Sequence, residues 1–141
     1  MAINILQGLI GGLIATVVWF FIGAVLYMNP FAAKWYKKYE DDPSVKNRKD
    51  MKSFLINTFV FSILIQCVIF AFAYQYIETL LPGTVLMNAL YFGIILVGIK
   101  IIPRFLDMRV QSKYPSVLLK IELINGAIGS FVIAIVFALL L

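Results

Sequence analysis

The 141-residue chain has no histidine, a single cysteine, and charged residues at only 13% of its length. Without histidine the commonest metal and haem ligand is missing, as is the side chain that titrates near neutral pH. The lone Cys67 allows neither an internal disulfide nor a C-x-x-C pair, which excludes quinone-linked thiol chemistry of the four-helix oxidoreductase kind. No lysine or arginine precedes Lys34, so the basic n-region of a secretory leader is absent and the first apolar stretch is expected to be retained as a helix. No nucleophile–base pair, metal-ligand cluster, phosphate loop or nucleotide fingerprint can be read in the chain. The expectation is therefore a protein that is not an enzyme and needs no cofactor.

What the chain has is apolar sequence, 62% of it hydrophobic. Soluble domains carry about 25% charged residues, nearly twice the share here. Four apolar stretches, near 3–27, 54–76, 84–102 and 117–141, are each long enough to cross a hydrocarbon core of about 30 Å. The expected architecture is an all-α, four-helix transmembrane bundle, one integral membrane domain over 1–141.

Charge fixes the expected orientation. All twelve lysines and arginines lie in two blocks, seven between Lys34 and Lys52 and five between Lys100 and Lys120. The positive-inside rule puts both basic loops in the cytoplasm and both termini outside. The same bias argues against dual-topology insertion, so antiparallel-dimer exporters and fluoride channels are poor matches. The net charge of +5 belongs to this topology and to lipid phosphates rather than to nucleic acid.

The first span has a small-residue face. At about 100° per residue, Gly8, Gly11, Gly12, Ala15, Trp19 and Gly23 fall close together, with Asn4 on the same face and Gln7 beside it. Gly8-x-x-x-Gly12 is the spacing that lets helices approach closely in lipid. The last span repeats this character in Asn125, Gly126 and Gly129, with Glu122 at one end. Spans one and four are expected to pack through these glycine faces.

Between the first two spans, Asn29-Pro30 reads as a helix cap and start. A short amphipathic helix from Pro30 would carry Phe31, Trp35 and Tyr39 on one stripe and Lys34, Lys37 and Lys38 on its flank. Such a helix lies in the interface, rings toward the acyl boundary and ammonium groups toward headgroups. Tyr27, Phe31, Lys34, Trp35, Lys38 and Tyr39 are thus the expected interface anchors. Asp42-Pro43 repeats the cap signal, so the helix into span two is expected to begin there, about ten residues before the membrane. Arg104 to Tyr114 reads as a polar loop, and Pro115-Ser116 as another helix start.

Polar residues inside the spans are the candidate site. Glu122 has two readings, a proton-coupling carboxylate or an interfacial ion pair with Lys100. The nineteen residues from Leu123 to Leu141 cover about 28 Å at the helical rise, which places Glu122 at the cytoplasmic boundary and favours the pair. Asn57, Gln66, Asn88 and Asn125 have the spread of interhelical hydrogen-bonding amides; the alternative is that they line a polar pocket near Tyr91. Asn57 and Gln66 face opposite sides of span two, which implies neighbours on both. Cys67 reads as a packing residue, and Arg104, Asp107 and Arg109 as solvated or gripping a headgroup phosphate.

The segment Gly23, Leu26, Tyr27, Pro30, Phe31, Trp35, followed far downstream by the Ile124-Asn125 step, resembles an uncharacterised family of small prokaryotic four-helix membrane proteins, domain of unknown function seventeen-sixty-one. Leu26 stands where that family favours an aromatic, Ala33 where it often has glycine, and Gly126, Ala127 and Ile128 lack its expected aromatic. The resemblance covers nearly the whole chain and implies a fold and an inner-membrane location, without an activity. Two functions remain open, ranked above a third, a lipid-modifying enzyme, for which the chain lacks a catalytic constellation. One is a non-enzymatic accessory or self-assembling protein that binds membrane lipids, partner helices or a copy of itself. The other is a small transporter or channel with a polar path through Glu122, Asn125, Asn88 and Gln66.

Overall fold

A computed structural model describes residues 3–141 and is all helical, with no strand among the described residues. Four helices are long and apolar enough to cross a membrane: α1 (Ile5–Met28), α3 (Met51–Leu80), α4 (Val85–Gln111) and α5 (Ser116–Leu140). Between the first two lies the short helix α2 (Pro30–Lys38). In lipid every backbone polar group must be satisfied within its own segment, so an apolar run of this length has no alternative to a helix. The four long helices alternate in direction, which gathers the start of α1, the end of α5 and the Leu81–Thr84 connection at one end and the two basic connections at the other.

Local capping sets the boundaries. Asn29 Oδ1 accepts from the Ala32 N–H at 3.0 Å and Pro30 follows it, starting α2 where the sequence signals it. At Asp42-Pro43 no helix begins. Asp42 Oδ1 instead accepts from the backbone and hydroxyl of Ser44, a local turn that competes with helix formation. Asp50 is the cap that α3 uses, its Oδ1 accepting from the Ser53 N–H at 3.1 Å. The stretch from Arg104 is likewise not a loop, because α4 continues to Gln111.

Two π-helical stretches interrupt the long helices, Thr58–Leu64 in α3 and Val97–Ile101 in α4. The second precedes Pro103, which has no N–H to donate and whose ring crowds the preceding turn. Widening that turn lets α4 pass the proline without ending.

The helices stand in the order α3–α1–α5–α4, with the most extensive contacts between α4 and α5, then α1 with α3, then α1 with α5. Although α3 and α4 are consecutive, they meet chiefly beside their connection, where the Tyr74 and Phe92 rings lie 5.0 Å apart, edge to face; they make no extensive backbone contact elsewhere. Around that ring pair the half of the bundle away from the basic loops is closely packed by Ala15, Cys67, Ala71, Ile133 and Phe137. Cys67 is fully buried there.

Glycines set the helix separations, only partly in the expected pairing. A Cβ on Gly12 would come within 2.8 Å of the Val68 Cα, and one on Gly8 within 2.6 Å of the Phe72 ring, so the Gly8–Gly12 face packs on α3 and not on α5. The expected α1–α5 contact does form, through Gly11 against Leu141 and through Gly129, which leaves room for the Trp19 ring, while Gly126 faces Ile101 of α4. Gly23 sits beside Trp19 of its own helix. The large ring of Trp19 fills the space between α1 and α5, and the α1 backbone, bare at Gly8 and Gly12, lies against α3.

Candidate functional site

The basic half of the molecule encloses a cavity of about 820 Å³. It exists because α3 and α4 part company beyond the Tyr74–Phe92 contact: the first two turns of α3, Met51–Asn57, make no extensive contact with another helix backbone. Both π-helical stretches form its walls, through Thr58, Phe61 and Ser62 on one side and Lys100 and Ile101 on the other. The segment Ser44–Arg48 covers its basic end.

At the cavity's edge sits Glu122, with a side chain only 18% exposed. Its Oε1 accepts from the hydroxyls of Tyr114 at 2.5 Å and Tyr36 at 3.3 Å, and its Oε2 from the Arg104 guanidinium at 3.1 Å. The expected ion pair with Lys100 is therefore corrected: the partner is Arg104, one helical turn further along α4. The π-turn at Val97–Ile101 adds residue to the helical phase, which a steady 100° per residue does not include. It carries the Lys100 amine to the Phe70 ring of α3, 5.7 Å away, and Arg104 to Glu122.

Helix α2 supplies the other half of this knot. Ala32 and Tyr36, one turn apart, are buried against Leu118 and Ile121 of α5. Burial first, and the Glu122 charge second, push the Tyr36 hydroxyl far above its ordinary value. Burial and the bond to Glu122 do the same for Tyr114, so both remain protonated donors. The expected aromatic stripe of α2 is split by this docking. Phe31 is open, while Trp35 and Tyr39 are half-buried against the Tyr36 cluster together with Tyr27. Lys34 and Lys38 are exposed, the Lys38 amine 5.0 Å over the Trp35 ring. Arg48 lies between two rings, 4.1 Å from that of Tyr36 and 4.8 Å from that of Phe54.

Of the residues expected to form a polar path, Gln66, Lys100 and Glu122 line this cavity. Asn88 and Tyr91 do not. Asn88 Oδ1 accepts from the Gly83 N–H at 3.0 Å, beside the connection at the opposite end, and Tyr91 faces outward at 45% exposure. Asn125 is buried in α5 with its Nδ2 unpaired, and Gln66 Oε1 is likewise buried without a partner. Among the described residues the expected network of amides between helices is accordingly not formed, and Asn57 bonds Ser53 of its own helix. The interhelical amide bonds come from Gln75 and Gln7. Gln75 exchanges two with the backbone of Asn4, at 2.9 and 3.1 Å, and Gln7 donates to the Leu140 carbonyl at 3.2 Å.

Sequence reasoning missed Tyr36, Tyr114 and Arg48 as members of the site. The available signal was their type, amphipathic aromatic and guanidinium side chains flanking span ends, but nothing in their spacing aims them at Glu122. Comparison with curated proteins and with solved structures gives no match. The model of a family described as protein of unknown function (DUF1761) matches residues 10–141, and by this match over nearly its whole length the chain belongs to that family.

Proposed function

We propose that this protein is a non-enzymatic membrane accessory protein that acts by holding a small molecule in its basic-half cavity, rather than by passing one across the bilayer. The observation that carries this is the asymmetry of the interior: an 820 Å³ cavity in one half and, in line with it, a layer of packed apolar and aromatic side chains from Ala15 to Phe137. A volume of that size is ordinary for a ligand site. The one carboxylate among the lining residues is occupied by three donors, an arrangement suited to holding a shape more than to relaying protons. The glycines Gly8, Gly12, Gly126 and Gly129 all face other parts of the same chain, so a partner helix would need a different surface.

The proposed setting is the inner membrane of a prokaryotic cell, with both termini outside and the cavity opening toward the cytoplasmic face. Its support is the confinement of all twelve lysines and arginines to one end. Cysteines placed at Leu141 and at Lys49 in a Cys67→Ala background test it: impermeant maleimide added to intact cells should label the first and not the second. For the binding reading, vesicles containing the protein should show no proton or ion flux above empty vesicles. Flux that Glu122→Gln abolishes in a folded protein would establish the transport reading in its place.

A further inference from the structure

We infer that the cavity's occupant is an anionic membrane lipid, its acyl part entering between α3 and α4 and its charged headgroup held by Lys100 and Arg48. This rests on the binding reading above. Four cations line the cavity, Lys46, Arg48, Lys100 and Arg104, against the single carboxylate of Glu122. The Arg104–Glu122 pair is the one ion pair among the described residues, which leaves an excess of three positive charges. Lys100 rests on Phe70, and Arg48 on Tyr36 and Phe54. Ring faces hold a cation but do not neutralise it, and a half-buried cation without a counter-charge is stabilised when an anion meets it.

Two further observations point to the same occupant. Gln66 Oε1 is buried without a donor in the cavity wall, and buried polar atoms are almost always paired. A rotation of the Gln66 side chain would present its amide to a hydroxyl of a glycerol-type headgroup in the cavity. The walls themselves are apolar, with Trp19, Phe20, Phe54, Phe61 and Ile101 among them, and α3 and α4 make no extensive backbone contact beside the cavity. A gap between two membrane-crossing helices faces acyl chains. Charge in the chamber and an apolar doorway fit an amphiphile, where a soluble anion would need only the first. Both π-helical stretches border this chamber, and such departures from α-geometry are frequent at functional sites.

Full-length protein carrying Trp35→Phe retains Trp19, in the cavity wall, as its one tryptophan. In detergent micelles, phosphatidylglycerol with a nitroxide on its acyl chain should quench Trp19 saturably at about tenfold lower concentration than the phosphatidylcholine analogue, the scale of a hydrogen bond to a charged group. Lys100→Met and Arg48→Gln should each reduce that preference, Lys100→Arg should keep it, and Lys37→Gln, on the exposed side of α2, should leave it unchanged. Retention with Lys100→Arg separates loss of charge from loss of fold. Equal quenching by the two lipids would overturn the anionic assignment while leaving the binding reading intact. Quenching by neither lipid would sink both. Free glycerol phosphate that displaces the labelled lipid at comparable concentration would show a headgroup-sized soluble anion to be the occupant, and would overturn the lipid assignment.

Discussion

Glu122 shows how one side chain can be worth more than its visible ion pair. Arg104 is 65% exposed, so its share is screened, and Arg104→Gln should cost less than about 1 kcal/mol. Tyr36 is buried and Tyr114 half-buried, and removing their acceptor leaves two donors unsatisfied away from water. Glu122→Ala should therefore cost more, about 1–3 kcal/mol, read as the difference in thermal unfolding of the two variants in micelles. A larger loss from Arg104→Gln would show that the pair, and not the tyrosines, carries the interaction. The tyrosines also set an alkaline limit. Both are held above the ordinary value of about 10 by burial and by Glu122. Their contribution is fully present below pH 10 and is lost as pH rises beyond it, because the unfolded chain releases those protons first. The double variant Tyr36→Phe/Tyr114→Phe should show a smaller drop in midpoint temperature between pH 9 and pH 11 than the parent, whatever its stability at neutral pH.

Among the helices, close approach and the π-turns decide most. A methyl group at Gly12 meets the backbone of Val68, which cannot rotate away as a side chain can, so Gly12→Ala should destabilise by about 1–3 kcal/mol, the usual cost of overpacking. Gly98 has nothing within 4 Å of the same position. Gly98→Ala should be neutral or stabilising by up to about 1 kcal/mol, since alanine loses less chain entropy than glycine in a helix. Measured side by side, the two substitutions separate a helix-contact effect from a propensity effect. Stabilisation of equal size at both would mean that helix propensity alone is at work. At the start of α3, Asp50→Ala should remove a cap worth about 1 kcal/mol and fray the turns that wall the cavity, visible as faster hydrogen exchange at Ser53 and Phe54.

At the scale of the whole molecule, the unequal contact of α3 with α4 is the feature that makes a site. The two helices are tied together at Tyr74–Phe92 and separate toward their basic ends. Spin labels at Tyr76 and Leu86, near the tie, should report a narrow, single distance distribution. Labels at Leu55 and Leu106, across the gap, should report a longer distance that changes when phosphatidylglycerol is added. An identical distribution at both ends would contradict the splayed arrangement.

The sequence by itself determined the four spans, their alternation and the two basic connections, because a run of about 20 apolar residues in lipid has one way to satisfy its backbone, and lysine and arginine stay out of the hydrocarbon. It also marked Gln66, Lys100 and Glu122 as polar groups in unusual places. What it left undecided is who meets whom. Gly8 and Gly12 have the same small face whether the neighbour is α3 or α5, and only the bulk of Trp19 against Gly129, with Val68 against Gly12, distinguishes them. Glu122 takes donors from Tyr36, 86 positions away, and Tyr114, 8 positions away, and it takes Arg104 in place of Lys100 because a π-turn shifts the phase of α4. Those pairings depend on helix rotation and on a separation between α3 and α4, quantities set by how several helices pack at once. No single helix carries them in its pattern, and so the tertiary structure alone decided where the cavity lies and which charges it holds.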